Sequence, residues 1–377
     1  MKTIALSLLP ALMLLLIIGC SKESDPTKPK DDEIPTNTWT TESLSVQGEY
    51  PSLAVNSEGI PCVSYLDFND DYIKYAVRNG NSWTIESVGK VSNANGTVAN
   101  GGISSLAMDP AGNPRITYYD YGNVHFKYAR KIGDGWDLAV IPLPNDPLMS
   151  YASPFIPWEE SSIVIDQSGT AHVSLQMTGG LSGNVTGYWR SGYSTAVIVD
   201  VADANCGYHN AIALDGNGNP GISYEARTSG ELKYAHWNGV SFDLETISPM
   251  PLFYWRERLT TLRYDNANSP HIVTYGQTNY KYLHKSGGVW ISKDIPFQSG
   301  YPAISLDLDA NGSPRIALVT VDTGNSYRLK YAYLNGDNWV FENIADDIEI
   351  SSLVVDQAGK IHILFETDFN ELKYAHN

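Results

Sequence analysis

The chain is short of cysteine, short of charge and without sustained helical patterning. Its three Cys, at positions 20, 62 and 206 of 377 residues, have neither metal-ligand spacing nor the density of a disulfide framework. No stretch repeats apolar residues at the helical period, which argues against helix bundles and alternating α/β folds. Charged residues make up only 18%, and Lys+Arg 25 against Asp+Glu 42 leaves a net charge of −17. That balance disfavours nucleic acid and anionic membrane surfaces as partners. What is abundant is Tyr (24), Gly (32) and Pro (20), the composition of a turn-rich β protein.

The N-terminus reads as a processing segment. Lys2 precedes an apolar run, Ile4 to Gly19, with the length and place of a signal peptide. The run ends Ile17-Ile18-Gly19-Cys20, which resembles the bacterial lipobox. That resemblance implies acylation of Cys20 and a membrane contact through the lipid alone. Residues 20–36 are rich in Pro, Lys and Asp and read as a flexible tether. The run Cys20-Ser21-Lys22-Glu23-Ser24-Asp25 resembles the export signal of Bacteroidetes surface lipoproteins. The expected location is therefore the bacterial envelope, lipid-anchored at the outer membrane and facing outward.

From residue 37 onward the chain repeats. An apolar strand, Asp/Asn-x-x-Gly, a second strand, a variable loop, Leu-Lys-Tyr-Ala, a Gly turn, then Trp and a fourth strand recur in order. The turn residue falls at Asn56, Asp109, Asp166, Asp215, Asp265, Asp309 and Asp356, and a third-strand Tyr at Tyr75, Tyr128, Tyr188, Tyr234, Tyr282, Tyr331 and Tyr374. Seven units of about 50 residues, four short strands each, predict an all-β, seven-bladed propeller over 37–377. The seventh unit ends at Asn377 without a fourth strand, while residues 37–44 match the fourth strand of unit one. The N-terminal strand is therefore expected to complete the last blade. Lys74–Glu86, Lys233–Glu245, Lys330–Glu342 and, across the closure, Lys373–Glu42 are expected to face each other as scaffold pairs.

The Leu-Lys-Tyr-Ala units and Asp-x-x-Gly-x-Pro turns resemble bacterial propellers of the sialidase-like and fucose-lectin-like groups. That resemblance implies the architecture and a carbohydrate connection. Sialidases of the group carry an arginine triad and Ser-x-Asp-x-Gly-x-x-Trp boxes. The turns here lack the box Ser and Trp, and no triad can be assigned. No Arg/Glu/Trp set recurs to equip every blade with a lectin site either.

In a propeller the loops entering each first strand converge on the mouth of the central channel, and function concentrates on such loops. The longest are 142–160 and 248–259. Loop-end alignment puts Tyr50, Glu159, Glu160, Tyr208, His209, Arg258 and Tyr301 near the mouth, with the aromatics Trp158, Tyr254 and Trp255. Aromatic faces with carboxylates, one Arg and one His suit a glycan: rings stack on the sugar and charged groups take its hydroxyls. The leading expectation is a ligand-binding propeller for a glycan or another extracellular ligand. The first alternative is a glycan-cleaving enzyme. Glu159 and Glu160 offer carboxylates, but adjacent side chains diverge, so Glu160 with Glu49 or Glu349 across the mouth would be its carboxyl pair. His209 with Tyr208 or Tyr301 would instead be base and acid of a lyase. The second alternative is a scaffold for a protein partner. No metal or cofactor and a monomeric state are expected. Asp215-Gly216-Asn217-Gly218-Asn219 reads as a turn rather than a calcium loop. His172, His271 and His362 read as strand-edge residues, and Cys62 and Cys206 as unbridged.

Overall fold

The computed structural model describes residues 38–91, 104–145, 160–179, 183–201, 205–249, 260–276, 279–297, 303–321, 326–367 and 369–377. Those residues form seven antiparallel sheets of four strands each. Blade one runs Glu49–Val55, Pro61–Asp67, Tyr72–Asn79 and Ser82–Lys90, and the next five follow in chain order. Neighbouring first strands touch all the way round, so the sheets close into a ring. Blade seven takes Ile348–Val355, Ile361–Thr367 and Glu371–His376 from the end of the chain and Thr40–Gln47 from its start. Thr40 lies opposite His376 and Glu42 opposite Tyr374. The expected seven-bladed propeller and its closure are what the structure has.

The repeated residues explain one another at the seams between blades. Each third-strand Tyr packs edge-on or tilted against an aromatic of the next blade, with ring centroids 5.3 Å apart for Trp39–Tyr331, 5.6 Å for Tyr75–Trp136 and 5.8 Å for Tyr282–Trp339. Tyr374–Trp83, Tyr128–Trp189, Tyr188–Phe242 and Tyr234–Trp290 complete all seven seams. Each such pair contributes about 0.5–1.5 kcal/mol beyond its buried area.

A hydroxyl belt stitches the same blades around the channel. Ser52 Oγ accepts from Leu106 N, Ser105 Oγ from Ile163 N, Ser162 Oγ from Ile212 N, Ser305 Oγ from Leu353 N and Ser352 Oγ from Leu53 N. Five of the seven first strands thereby cap an amide of the next. The corresponding residues of blades four and five are Ala211 and Thr261. A central cavity of about 130 Å³ lies inside this belt.

The hairpin turns repeat as closely. In every blade the Asn or Asp side chain accepts from the amides two and four residues on, as Asp215 Oδ1 does from Asn217 and Asn219, both at 2.9 Å. That is turn chemistry. The second carboxylate oxygen then meets a basic side chain. Asp166–His172, Asp265–His271 and Asp356–His362 lie at 3.2–3.3 Å, and Arg115 and Arg315 take the place of His beside Asp109 and Asp309. The other ring nitrogen of each His meets the blade's repeated Tyr. Cys62 and Cys206 are buried and unbridged.

The expected Lys–Glu facing pairs are corrected. The two-residue turn closes on Asn79 opposite Ser82, which puts Glu86 opposite Tyr75 and Lys74 opposite Ser87. A one-residue offset sends the two side chains to opposite faces of the sheet. Glu245, Glu342 and Glu42 likewise lie opposite Tyr234, Tyr331 and Tyr374. The carboxylates instead bridge to the next blade: Glu42 to Arg78, Glu86 to Lys131 and Glu245 to Lys285, while Glu342 accepts from Trp39 Nε1. Lys373 pairs with Glu371 of its own strand.

Candidate functional site

Two positions relate all seven blades at the channel mouth. The first is the residue two before the hydroxyl belt: Tyr50, Glu160, His209, Ala303 and Ile350 among the described residues. The second lies near the end of the second strand, two residues past the one paired with the belt position: Leu66, Tyr119, Gln176, Glu225, Tyr275, Val319 and Glu366. Gln176 N donates to Glu160 O and Val319 N to Ala303 O, which fixes the correspondence. At the first position only the adjoining blades three and four carry ionisable acid and base, Glu160 and His209. Both also have a polar residue at the second.

Local backbone geometry converges these groups. The strand Cys206–Leu214 loses register with its neighbour on either side of Tyr208. Such bulges re-aim side chains at the rims of β structures. His209 adopts a left-handed φ of 51°, and Tyr50 does the same at 55°. Gly207, at φ 92°, sits where a Cβ would lie 2.9 Å from the carbonyl oxygen of Val185, so glycine is required there.

His209 is the centre of the cluster. Its Nδ1 lies 3.2 Å from Glu160 Oε1, off the line of a good hydrogen bond, so the contact is chiefly one of charge. Its Nε2 lies 3.2 Å from Arg227 Nη2 and 3.5 Å from Glu225 Oε2. A neutral ring accepts from the guanidinium there, and a protonated ring turns to the carboxylate. Arg227 also reaches Glu225 through Nε at 3.4 Å and stacks 3.6 Å over the ring of Tyr208. Asn184 Nδ2 donates to Tyr208 Oη at 2.6 Å. Asn210 Nδ2 holds the carbonyl of Glu160 at 3.3 Å.

Burial and charge oppose each other here. Burial alone lowers the basicity of His209, but the carboxylates of Glu160 and Glu225 outweigh it and raise its pKa. Burial raises the Glu225 carboxyl above its ordinary range, against the pull of His209 and Arg227. Burial likewise raises the Tyr208 phenol, with Arg227 opposing. Several buried polar atoms have no hydrogen-bond partner: Glu160 Oε2, Glu225 Oε1 and both ends of the Gln176 amide. Native interiors leave few such atoms unpaired.

Of the residues expected from sequence, the structure brings Glu160, Tyr208 and His209 together. They are buried rather than open on the rim, at 2%, 9% and 1% exposure. Tyr50 is buried in blade one against the central cavity. Glu49 accepts from Asn370, and Glu349 is exposed. Trp158, Glu159, Tyr254, Trp255, Arg258, Tyr301 and the lipidation candidate Cys20 lie outside the described residues. Sequence reasoning missed Gln176, Asn184, Asn210, Glu225 and Arg227. The available signal was polarity at a second-strand position that is apolar or aromatic in blades one, two, five and six. His209 is buried, with Nδ1 against the Glu160 carboxylate and Nε2 between Arg227 and Glu225.

No protein-family model and no curated protein matches the chain. Solved structures do. The chain is similar to an ulvan lyase of a new polysaccharide lyase family, PL25, bound to -[GlcA(1-4)Rha3S]-, with TM-score 0.61, 13% identity, and coverage of 88% of this chain and 94% of that one. It is similar to the polysaccharide lyase Uly1 at TM-score 0.54 and 8% identity, covering 89% and 90% of the two chains. A lectin from Aleuria aurantia in complex with alpha-methyl-L-fucoside matches at TM-score 0.51 and 14% identity, covering 80% and 96%. At these identities the shared property is the propeller fold.

Proposed function

We propose that this propeller binds a glycan at the channel mouth, over the seam of blades three and four. The observation that carries the reading is the Glu160–His209–Glu225–Arg227 cluster with Tyr208, the one seam among the described mouth positions where acid and base meet. Support comes also from the solved neighbours, two polysaccharide lyases and a fucoside-bound lectin by their own descriptions. The burial of His209, at 1% exposure, favours binding over cleavage. We further propose that acylated Cys20 tethers the domain to a bacterial outer membrane, a reading that rests on the Ile17-Ile18-Gly19-Cys20 run.

A glycan array, followed by product analysis on every polysaccharide bound, tests the function. Binding without new reducing ends or unsaturated products, weakened by Arg227→Ala and Tyr208→Ala in proteins that still melt cooperatively, is the expected result. Chain cleavage lost in His209→Ala would replace the binding reading with a lyase. Binding to no glycan would reject both. Loss of fatty-acid incorporation in Cys20→Ala tests the anchor.

A further inference from the structure

We propose a second ligand site on the face opposite the mouth, where the channel widens into a funnel among the hairpin turns. Its ligand is a small molecule with an apolar body and one carboxylate. The funnel has a volume of about 560 Å³. Ligand sites commonly span about 300–1,000 Å³, with apolar walls and a few placed polar groups. All seven first strands, and the turns that follow them, lie within the described residues. The walls follow the repeat. Two residues past the belt position, five blades carry Ala54, Ala107, Val164, Ala213 and Val354, and all five line the funnel. The adjoining blades five and six carry Arg263 and Asp307 there, and both line it too.

The guanidinium is held in place. Arg263 Nε donates to Asp307 Oδ1 at 3.0 Å, and Nη1 donates to the carbonyl of Leu262 at 2.9 Å. Asp307 is fixed in turn: Oδ1 also accepts from Leu308 N at 3.0 Å and Oδ2 from Val355 N at 2.9 Å. Among the described residues Nη2 keeps its donors for another acceptor. The Arg263 side chain is 38% exposed. It lines both the funnel and the central cavity above it, so it stands where the two meet. A charge pair in an apolar channel stabilises little, because desolvation offsets its attraction. Ala or Val fills the same place in the other five blades. What the pair supplies instead is an oriented guanidinium edge, and a carboxylate is the acceptor such an edge holds well. The Ala and Val walls then take the ligand's hydrocarbon.

The experiment titrates the whole propeller by calorimetry with straight-chain monocarboxylates, butanoate to octanoate, and with the primary alcohols of equal length. The acids are expected to bind saturably, the longer chains more tightly. Each acid should bind at least about tenfold more tightly than its alcohol, the size of one charge-assisted hydrogen bond. Arg263→Gln is expected to remove that preference. Asp307→Asn takes away the competing charge and is expected to strengthen acid binding by about threefold or more. Both variants are judged only if they melt cooperatively, and the comparison of acid with alcohol on the unaltered protein needs neither. Glycan binding at the mouth is expected to be unchanged in both, so this site and the glycan reading stand or fall separately. No saturable acid binding, equal binding of acid and alcohol, or unchanged acid binding in folded Arg263→Gln overturns the proposal.

Discussion

Glu42 and Arg78 meet across the seam between blades seven and one in a two-point contact, Nε to Oε1 at 2.8 Å and Nη2 to Oε2 at 2.9 Å. Glu42 belongs to the N-terminal strand and Arg78 to the third strand of blade one, so the pair fastens the strand that closes the ring. Trp83 Nε1 reaches the same carboxylate at 3.2 Å, and the hydrogen bonds to Glu42 raise the Arg78 pKa against the effect of burial. Paired, planar geometry of this kind is stronger than an ordinary surface ion pair. Glu42→Ala is expected to cost about 1–2 kcal/mol. Measured in urea, a double-mutant cycle with Arg78→Ala should return a coupling of about 1 kcal/mol. A coupling near zero would reject the latch.

Removal of residues 38–47 takes out the outer strand of blade seven together with Trp39, which packs on Tyr331 and donates to Glu342 at 2.7 Å. It leaves the backbone of Glu371–His376 as an unpaired edge. The shortened protein is expected to melt in a broadened transition and to self-associate, as read by calorimetry and light scattering. An unchanged cooperative melt of a monomer would contradict a ring held shut by this strand.

Ser351 points to an improvement the protein lacks. In blades one to four a second-strand hydroxyl meets a polar side chain of the next blade: Ser64–Ser104 at 2.8 Å, Thr117–Ser161 at 3.0 Å, Ser174–Asn210, and Ser223–Thr260 at 3.0 Å. Opposite Ser351 the position holds Ala317, and Ser351 Oγ is buried without a partner. Ala317→Ser is expected to stabilise by up to about 1 kcal/mol by supplying that partner. Denaturant midpoints compare the two proteins directly.

The scaffold histidines and the site histidine predict opposite pH effects. Burial lowers the pKa of His172, His271 and His362, and Asp356 is held below its ordinary value by backbone donors and His362 despite its burial. A lowered His binds protons less readily folded than unfolded, so its stabilisation is lost as pH falls below about 6.5. The lowered Asp loses its contribution lower still, below about 4. His209 and Glu225 are raised. Their contribution is whole below their unfolded values and is lost as pH rises, from about 4.5 for Glu225 and through the folded value above 6.5 for His209. Thermal melts of His209→Asn should therefore show a larger deficit against the parent at pH 5.5 than at pH 8.5, and melts of His362→Gln a smaller one.

Gly207 tests the backbone of the site. Gly207→Ala places a methyl 2.9 Å from the Val185 carbonyl at a left-handed φ, and is expected to cost about 1–3 kcal/mol. If the bulge aims Tyr208 and His209, glycan affinity should fall in that variant even at temperatures where it remains folded.

The number of blades, the closure and the turn chemistry were legible in the sequence. Each depends on residues that recur at nearly fixed spacing, and a repeated unit can bury its face only against copies of itself. The Lys–Glu pairing was misread because spacing alone does not say which of two neighbouring residues lies across a strand; the turn length fixes that. The site was legible in part. Glu160, Tyr208 and His209 come from loop ends, where alignment to the repeat still works. Glu225 and Gln176 sit inside strands that look like scaffold, and Arg227 lies just past one. Nothing in linear order joins them to residues 16 to 67 positions away.

The sequence alone determined a ring of seven, because apolar alternation, turn residues and the Lys-Tyr-Ala register are local and additive. The tertiary structure decided which polar residues meet. Packing of consecutive blades places blade three's Glu160 beside blade four's His209, and the bulge at Tyr208 turns that His into the seam. There burial makes charge costly, so the cluster's pairing and protonation belong to the folded protein and not to any one of its residues.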